Sequence, residues 1–194
     1  MGTATVSTCT AGMVPNNSNQ PSVVRAATPA DKAEIWRLFK LLHSENGLSP
    51  MSERKIDYHI DRLLNPANIA ADDNGPRGLV GVIGEPGRLE GAIMLSLGSM
   101  WYSDEITLDE YLNFVDPAHR NSDHAKTLIR YAKRMVDELR PVYPTLRLVI
   151  GILSTKRAGA KVRLYERQLT VCGAFFVYPP PENIDPPRSL YRMN

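Results

Sequence analysis

The chain has 194 residues, 43% of them apolar and 23% charged, with a formal net charge of +2. That length points to one domain able to bury a core, and so mild a charge gives no argument for nucleic acid as a partner. The only cysteines, Cys9 and Cys172, and the four histidines do not show zinc-ligand spacing, so neither a disulfide framework nor a metal is expected.

Residues 1–20, "MGTATVSTCTAGMVPNNSNQ", are rich in small polar residues and read as a flexible arm. They lack the basic start and apolar run of a secretory signal. "SVVRAA" (22–27) is a short strand candidate. "TPADKAEIWRLFKLLHSENG" then carries helix punctuation: Thr28 as cap, Pro29 in the first turn, Asp31 at the positive end and Gly47 after the stop. Ile35, Leu38, Phe39 and Leu42 form its apolar stripe. A second helix begins after Ser52 with Ile56, Ile60, Leu63 and Leu64 on one face. Its Tyr58 and His59 point either to a cleft or to solvent.

"GLVGVIGE" and "RLEGAIMLSLGS", joined by "PG", read as an antiparallel hairpin. Neither contains a stretch long enough to cross a bilayer, so a cytoplasmic setting without membrane partners is the default expectation. "EITLDEYLNFV" (105–115) alternates as a strand. A helix from about Ser122 to Leu139 follows, striped by Ala125, Leu128, Ile129, Ala132, Met135 and Leu139. "PTLRLVIGIL" (144–153) reads as a buried strand, "KRAGAKVRLYERQL" as a shorter helix, and "AFFVY" (174–178) as the strand that closes the sheet. Cys172, just before it, reads as a small buried hydrophobe. The proline-rich tail, 181–194, cannot be regular structure. The domain is therefore placed at 21–180, in the α/β or α+β class. The strand–helix–strand unit from 106 to 152 implies a right-handed crossover between parallel strands, with ligands favoured beyond the strand ends, near residues 114–126.

Val115, Pro117, Arg120, Ala125 and Leu128 in "VDPAHRNSDHAKTL" resemble the acetyl-CoA-binding motif of the GNAT superfamily of N-acetyltransferases, V-x-P-x-x-[QR]-x-x-G-x-[GA]. "LYERQLTVCGAFF" (164–176) resembles the family's "LYEKLGF" signature with a few residues inserted, and the element order over 22–178 is similar too. The family's glycine falls on Asp123, the asparagine before its last helix on Ala158, and a small apolar position on Lys161.

The resemblance implies a mixed, mostly antiparallel sheet of six to seven strands flanked by about four helices. It implies acetyl transfer from acetyl-CoA, used as co-substrate without a metal, to a primary amine on a small molecule or protein. Carried over residue by residue, the cofactor cradle is Phe114, Val115, Arg120, Asn121, Ser122, Asp123, His124, Ala125, Lys126 and Lys161. In such a cradle the diphosphate rests on helix N-terminal amides, and a backbone N–H near Phe114 or Val115 polarises the thioester. Tyr165 is the implied general acid toward the departing thiolate, with Lys161 one turn earlier on the same helical face. Asp109 is the candidate base, and Glu110 points the other way along the strand.

Asp123 poses an electrostatic question. A carboxylate about 4 Å from a phosphate charge costs roughly 4 kcal/mol at an effective dielectric near 20, unless it turns to solvent or is offset by Arg120 and Lys126. The alternative reading makes Ser122 or Asp123 an ordinary helix cap. The rival readings are a catalytically silent GNAT fold serving as an interaction module, and an enzyme acting on nucleic acid, suggested only by the basic cluster Lys156, Arg157, Lys161, Arg163 and Arg167. The acceptor depends on the loops around 44–55 and 98–104, where Trp101 and Tyr102 line a cleft or cover the sheet edge. Whether the chain forms a homodimer, as many relatives do, is left open.

Overall fold

A computed structural model describes residues 23–65, 78–152, 154 and 156–173. Five strands form one sheet in the order β1-β2-β3-β4-β5: β1 (Arg25–Ala26), β2 (Gly78–Glu85), β3 (Arg88–Ser99), β4 (Ile106–Val115) and β5 (Arg147–Val149). The first four pair antiparallel, and β4 and β5 pair in parallel across the helical crossover that the sequence implies. The α helices are α1 (Lys32–Asn46), α2 (Glu53–Leu64), α3 (His124–Leu139) and α4 (Ala158–Glu166). The fold class stands, with five strands among the described residues rather than six to seven. The strand expected at 174–178, the arm and the tail lie outside those residues.

Both faces of the sheet are covered. Ile35 and Leu38 of α1 and Ile60, Leu63 and Leu64 of α2 pack on Val80, Val82, Met94, Leu112 and Phe114. On the other face Leu128, Ala132 and Val136 of α3 pack on Ile93, Leu95 and Leu108. Apart from Val136, which the sequence reading left out, the helix residues named are those of the expected apolar stripes, buried because hydrocarbon leaves water. Cys172 departs from expectation: it lies in the irregular stretch after α4 and is exposed. Among the described residues no helix is long and apolar enough to cross a membrane.

Two strands each carry one extra residue. Ile83 pairs with Gly91 while Gly84 pairs with Leu89, leaving Glu90 bulged on β3; Met94 pairs with Leu112 while Leu95 pairs with Glu110, leaving Tyr111 bulged on β4. A bulge flips the alternation that follows it and re-aims the residues beside it. On β4 this is visible in the core: Leu108 packs toward α3, whereas Leu112 packs toward α1 and α2.

The entry to α1 is pinned by a buried carboxylate. Asp31 is wholly buried and accepts from Arg25 Nη1 (2.8 Å) and Nη2 (2.7 Å), from Thr28 N (2.8 Å) and from Thr28 Oγ1 (3.1 Å). The Arg25 guanidinium holds its carboxyl at about 2, below the ordinary 3.8. A depressed carboxyl stabilises the fold above its unfolded pKa, and that stability is lost as pH falls through about 2. Asp31→Ala leaves Arg25 unpaired and is expected to cost about 3 kcal/mol in urea unfolding at pH 7. Wild type and variant should converge as the pH approaches 2.

Candidate active site

The site begins where β4 loses its neighbour. Pairing between β4 and β5 runs only over Thr107–Asp109 and Arg147–Val149, although the sequence reads as strand to residue 153. After Val149 the chain is drawn toward α1, where Ser154 Oγ donates to Asn46 Oδ1 at the helix end. The strands therefore diverge, and an open cleft of about 170 Å³ lies between the end of β4, the start of α3 and α4. Phe114, Val115, Arg120, Ser122, Ala125 and Lys161, expected at the cradle, and Tyr165, expected as the general acid, line it together with Glu45, Asn113 and Arg157.

The remaining cradle candidates point elsewhere or stay out of the lining. Asp123 heads α3 but caps nothing. Its largely exposed carboxylate takes Lys126 Nζ at 2.8 Å, which holds it below the ordinary range. That settles the choice between cap and solvent, and it removes the carboxylate from the helix amides. Ser122 Oγ instead accepts from His124 N at 3.3 Å. Asn121 and Lys126 do not line the cleft, and the His124 ring is buried against Glu90 (Nε2–Oε2 2.6 Å).

Arg120 crosses the cleft. Its Nη2 reaches both carboxylate oxygens of Glu45 at 2.7 and 2.8 Å, its guanidinium sits 5.2 Å from the Phe114 ring centroid, and its Nε donates to Val115 O at 3.4 Å. The guanidinium thus stays in the cradle while its charge is matched by the end of α1.

The bulge at Tyr111 decides which acid meets Tyr165. Upstream of it, Glu110 follows Ile106 and Leu108 onto the α4 side; downstream, Asn113 returns to that side, and its Nδ2 donates to Tyr165 Oη at 2.9 Å. Like Glu110, Asp109 is not among the residues that line the cleft. It accepts from Thr107 Oγ1 at 3.2 Å on the opposite face, and burial pushes its carboxyl up. Glu110, set aside in the sequence reading as a strand acid pointing away, is the carboxyl beside Lys161 and Tyr165. Burial pushes it up to about 7 against the pull of Lys161. Burial lowers Lys161, whose Nζ donates to Ser154 Oγ at 3.4 Å. Burial also raises Tyr165, reinforced by the Glu110 charge and opposed by the Asn113 bond.

No family model matches the sequence, and no curated protein matches it. Solved structures do. A possible acetyltransferase from Clostridium difficile 630 is similar at a TM-score of 0.58 and 15% identity, over 80% of this chain and 94% of that one. The fold is that of the GNAT acetyltransferases. Arabidopsis thaliana NAA60, in complex with a bisubstrate analogue, is similar at 0.58 and 13% identity over 79% and 85% of the chains. AAC(6')-Iy with the bisubstrate analogue CoA-S-monomethyl-acetylneamine is similar at 0.57 and 14% identity over 83% and 99%. Within the GNAT fold of this chain, the diverging strands and the start of α3 are where the sequence motif falls.

The electrostatics of the cleft are open to direct measurement. Lys161 is expected to titrate below 10.5 in an NMR pH series. Glu110→Gln should lower it further, because the Glu110 charge is what holds it up; an unchanged or higher value would contradict the pairing.

Proposed function

We propose that the protein is an acetyl-CoA-dependent N-acetyltransferase acting on a primary amine. The observation that carries this reading is the cleft at the divergence of β4 and β5, where the N-terminus of α3 meets Arg120 and Lys161 while the Asp123 carboxylate turns to solvent. A diphosphate is an apt occupant: helix N-terminal amides, the macrodipole and two cations all favour it. The neighbours of the same fold that hold bisubstrate analogues support the same reading. Bound acetyl-CoA would supply an activated acetyl thioester; Arg120, Lys161, Ser122 and Ala125 would hold it.

The chain's own residues then divide the proton work. Glu110, set behind the cleft lining beside Lys161 and Tyr165, is the general base and acts through water, because a carboxyl near 7 is ionised often enough at neutral pH to accept a proton relayed from an ammonium. This role replaces Asp109. Tyr165 keeps its proton in its buried setting, and Asn113 orients it, so it serves as hydrogen-bond donor toward the leaving sulfur. Lys161 lies one helical turn away and adds positive charge to the same place.

The pH dependence follows from the direction of the Glu110 shift. Raised above 4.5, this carboxyl contributes its full stability below its unfolded pKa and loses it as pH rises through about 7, while the base becomes active over the same interval. Turnover is expected to climb through about pH 7. Glu110→Gln should flatten that limb and lower kcat roughly 10²-fold or more. Tyr165→Phe should lower kcat with acetyl-CoA affinity nearly unchanged; equal turnover would remove Tyr165 from the mechanism.

A second reading, a GNAT fold without catalysis, draws on the Glu45 carboxylate inside the cradle. Thermal shift separates the two, since a cofactor that binds only the folded state raises the melting temperature by mass action. No shift at millimolar acetyl-CoA would defeat the enzyme reading. Glu45→Gln, which releases Arg120, is expected to tighten acetyl-CoA binding several-fold.

A further inference from the structure

The bulged residue of β3 has a role outside the cleft. Hydrogen bonding of Asp116 N to Glu90 O at 2.8 Å aligns the bulge with the turn between β4 and α3. The Glu90 carboxylate meets two rings there: His119 from the 3₁₀ turn (Oε2–Nδ1 3.4 Å) and His124 from the first turn of α3 (Oε2–Nε2 2.6 Å). One ligand atom from each of the three side chains lies within 4.8 Å of the others. The imidazoles stack at 17° with centroids 6.0 Å apart, so both address the same carboxylate.

From this arrangement we infer that Glu90, His119 and His124 form a binding site for a divalent first-row cation of zinc type, held by two imidazole nitrogens and one carboxylate oxygen. Two imidazoles with one carboxylate are a ligand set that suits zinc. Metal–ligand bonds of about 2.0–2.2 Å set tetrahedral edges of roughly 3.3 Å. The edge from Glu90 to His119 is already 3.4 Å. The edge from Glu90 to His124 is 2.6 Å and opens by well under 1 Å to reach that value, a move within the reach of a partly exposed glutamate. His124 is nearly buried, with 8% of its side chain exposed, whereas about one third of His119 and Glu90 faces solvent, leaving an entry path and room for a water ligand. A bound ion would clamp β3 to the turn that presents Ser122 and Ala125 to the cleft.

The test uses the full-length protein freed of metal by a chelator that is then dialysed away. It is titrated with Zn²⁺ alone while the melting temperature is read, and with Co²⁺ alone while visible absorption is recorded. The melting temperature is expected to rise with Zn²⁺, and Co²⁺ should give the intense visible bands of a four-coordinate site. His119→Ala lies in a partly exposed turn and is expected to keep the metal-free melting temperature while weakening Zn²⁺ at least roughly tenfold. Glu90→Gln should weaken it similarly. His43→Ala/His59→Ala and Cys9→Ser/Cys172→Ser should leave it intact. The inference is overturned by no shift at millimolar Zn²⁺, by Co²⁺ spectra of hexaaqua type, or by binding that survives His119→Ala and disappears with the cysteines.

Discussion

The architecture of the site depends on a count of residues in two strands. A strand turns each successive side chain to the opposite face, so one additional residue exchanges the faces of all that follow. At Tyr111 this brings Glu110 and Asn113, three apart, to the same side as Tyr165. At Glu90 it aims a carboxylate at the first turn of α3. Without the first exchange the buried acid and the tyrosine would stand on opposite sides of the sheet. Without the second, the turn opening α3 would lack its anchor to β3.

The cleft itself comes from incomplete pairing. β4 runs ten residues, yet β5 accompanies it for three before the chain turns toward the end of α1. Asn113, Phe114 and Val115, paired with β3 but beyond the reach of β5 among the described residues, border a ligand-sized space. Arg37 secures the far end of that stretch, reaching Asp116 as well as Glu34 and the carbonyl of Leu89. The floor of the cleft is therefore fixed from below while its upper side stays open.

Much of the fold was legible in the sequence because it is local. The hairpin turn at Pro86–Gly87, the capped start of α1 and the stripes of α1, α2 and α3 each rest on neighbours within a few positions. The positions lining the cleft were legible through the Val115-to-Ala125 motif and Tyr165. What escaped was non-local. Placing Glu110 rather than Asp109 on the side of Tyr165 required knowing a register shift against β3, which leaves no mark in β4 alone. The acid meeting His124 stands 34 residues earlier in the chain, so no spacing rule connects them. β-propensity carried the reading of β5 to residue 153, yet the contact that ends it is a serine reaching a distant helix. Cys172 reads as core from its apolar neighbours, and it sits exposed in the irregular stretch after α4.

The grip of Glu45 on Arg120 has a bearing on selectivity. Both oxygens of Glu45 meet one nitrogen of the guanidinium, Nη2, so a small anion that binds there competes with a carboxylate already in place. An anion carrying several charged oxygens in a row can replace both contacts at once and engage the start of α3 in the same step. On the proposed reading, Glu45 thus sets a threshold: a guest that offers several charged oxygens at once is favoured over a single small ion.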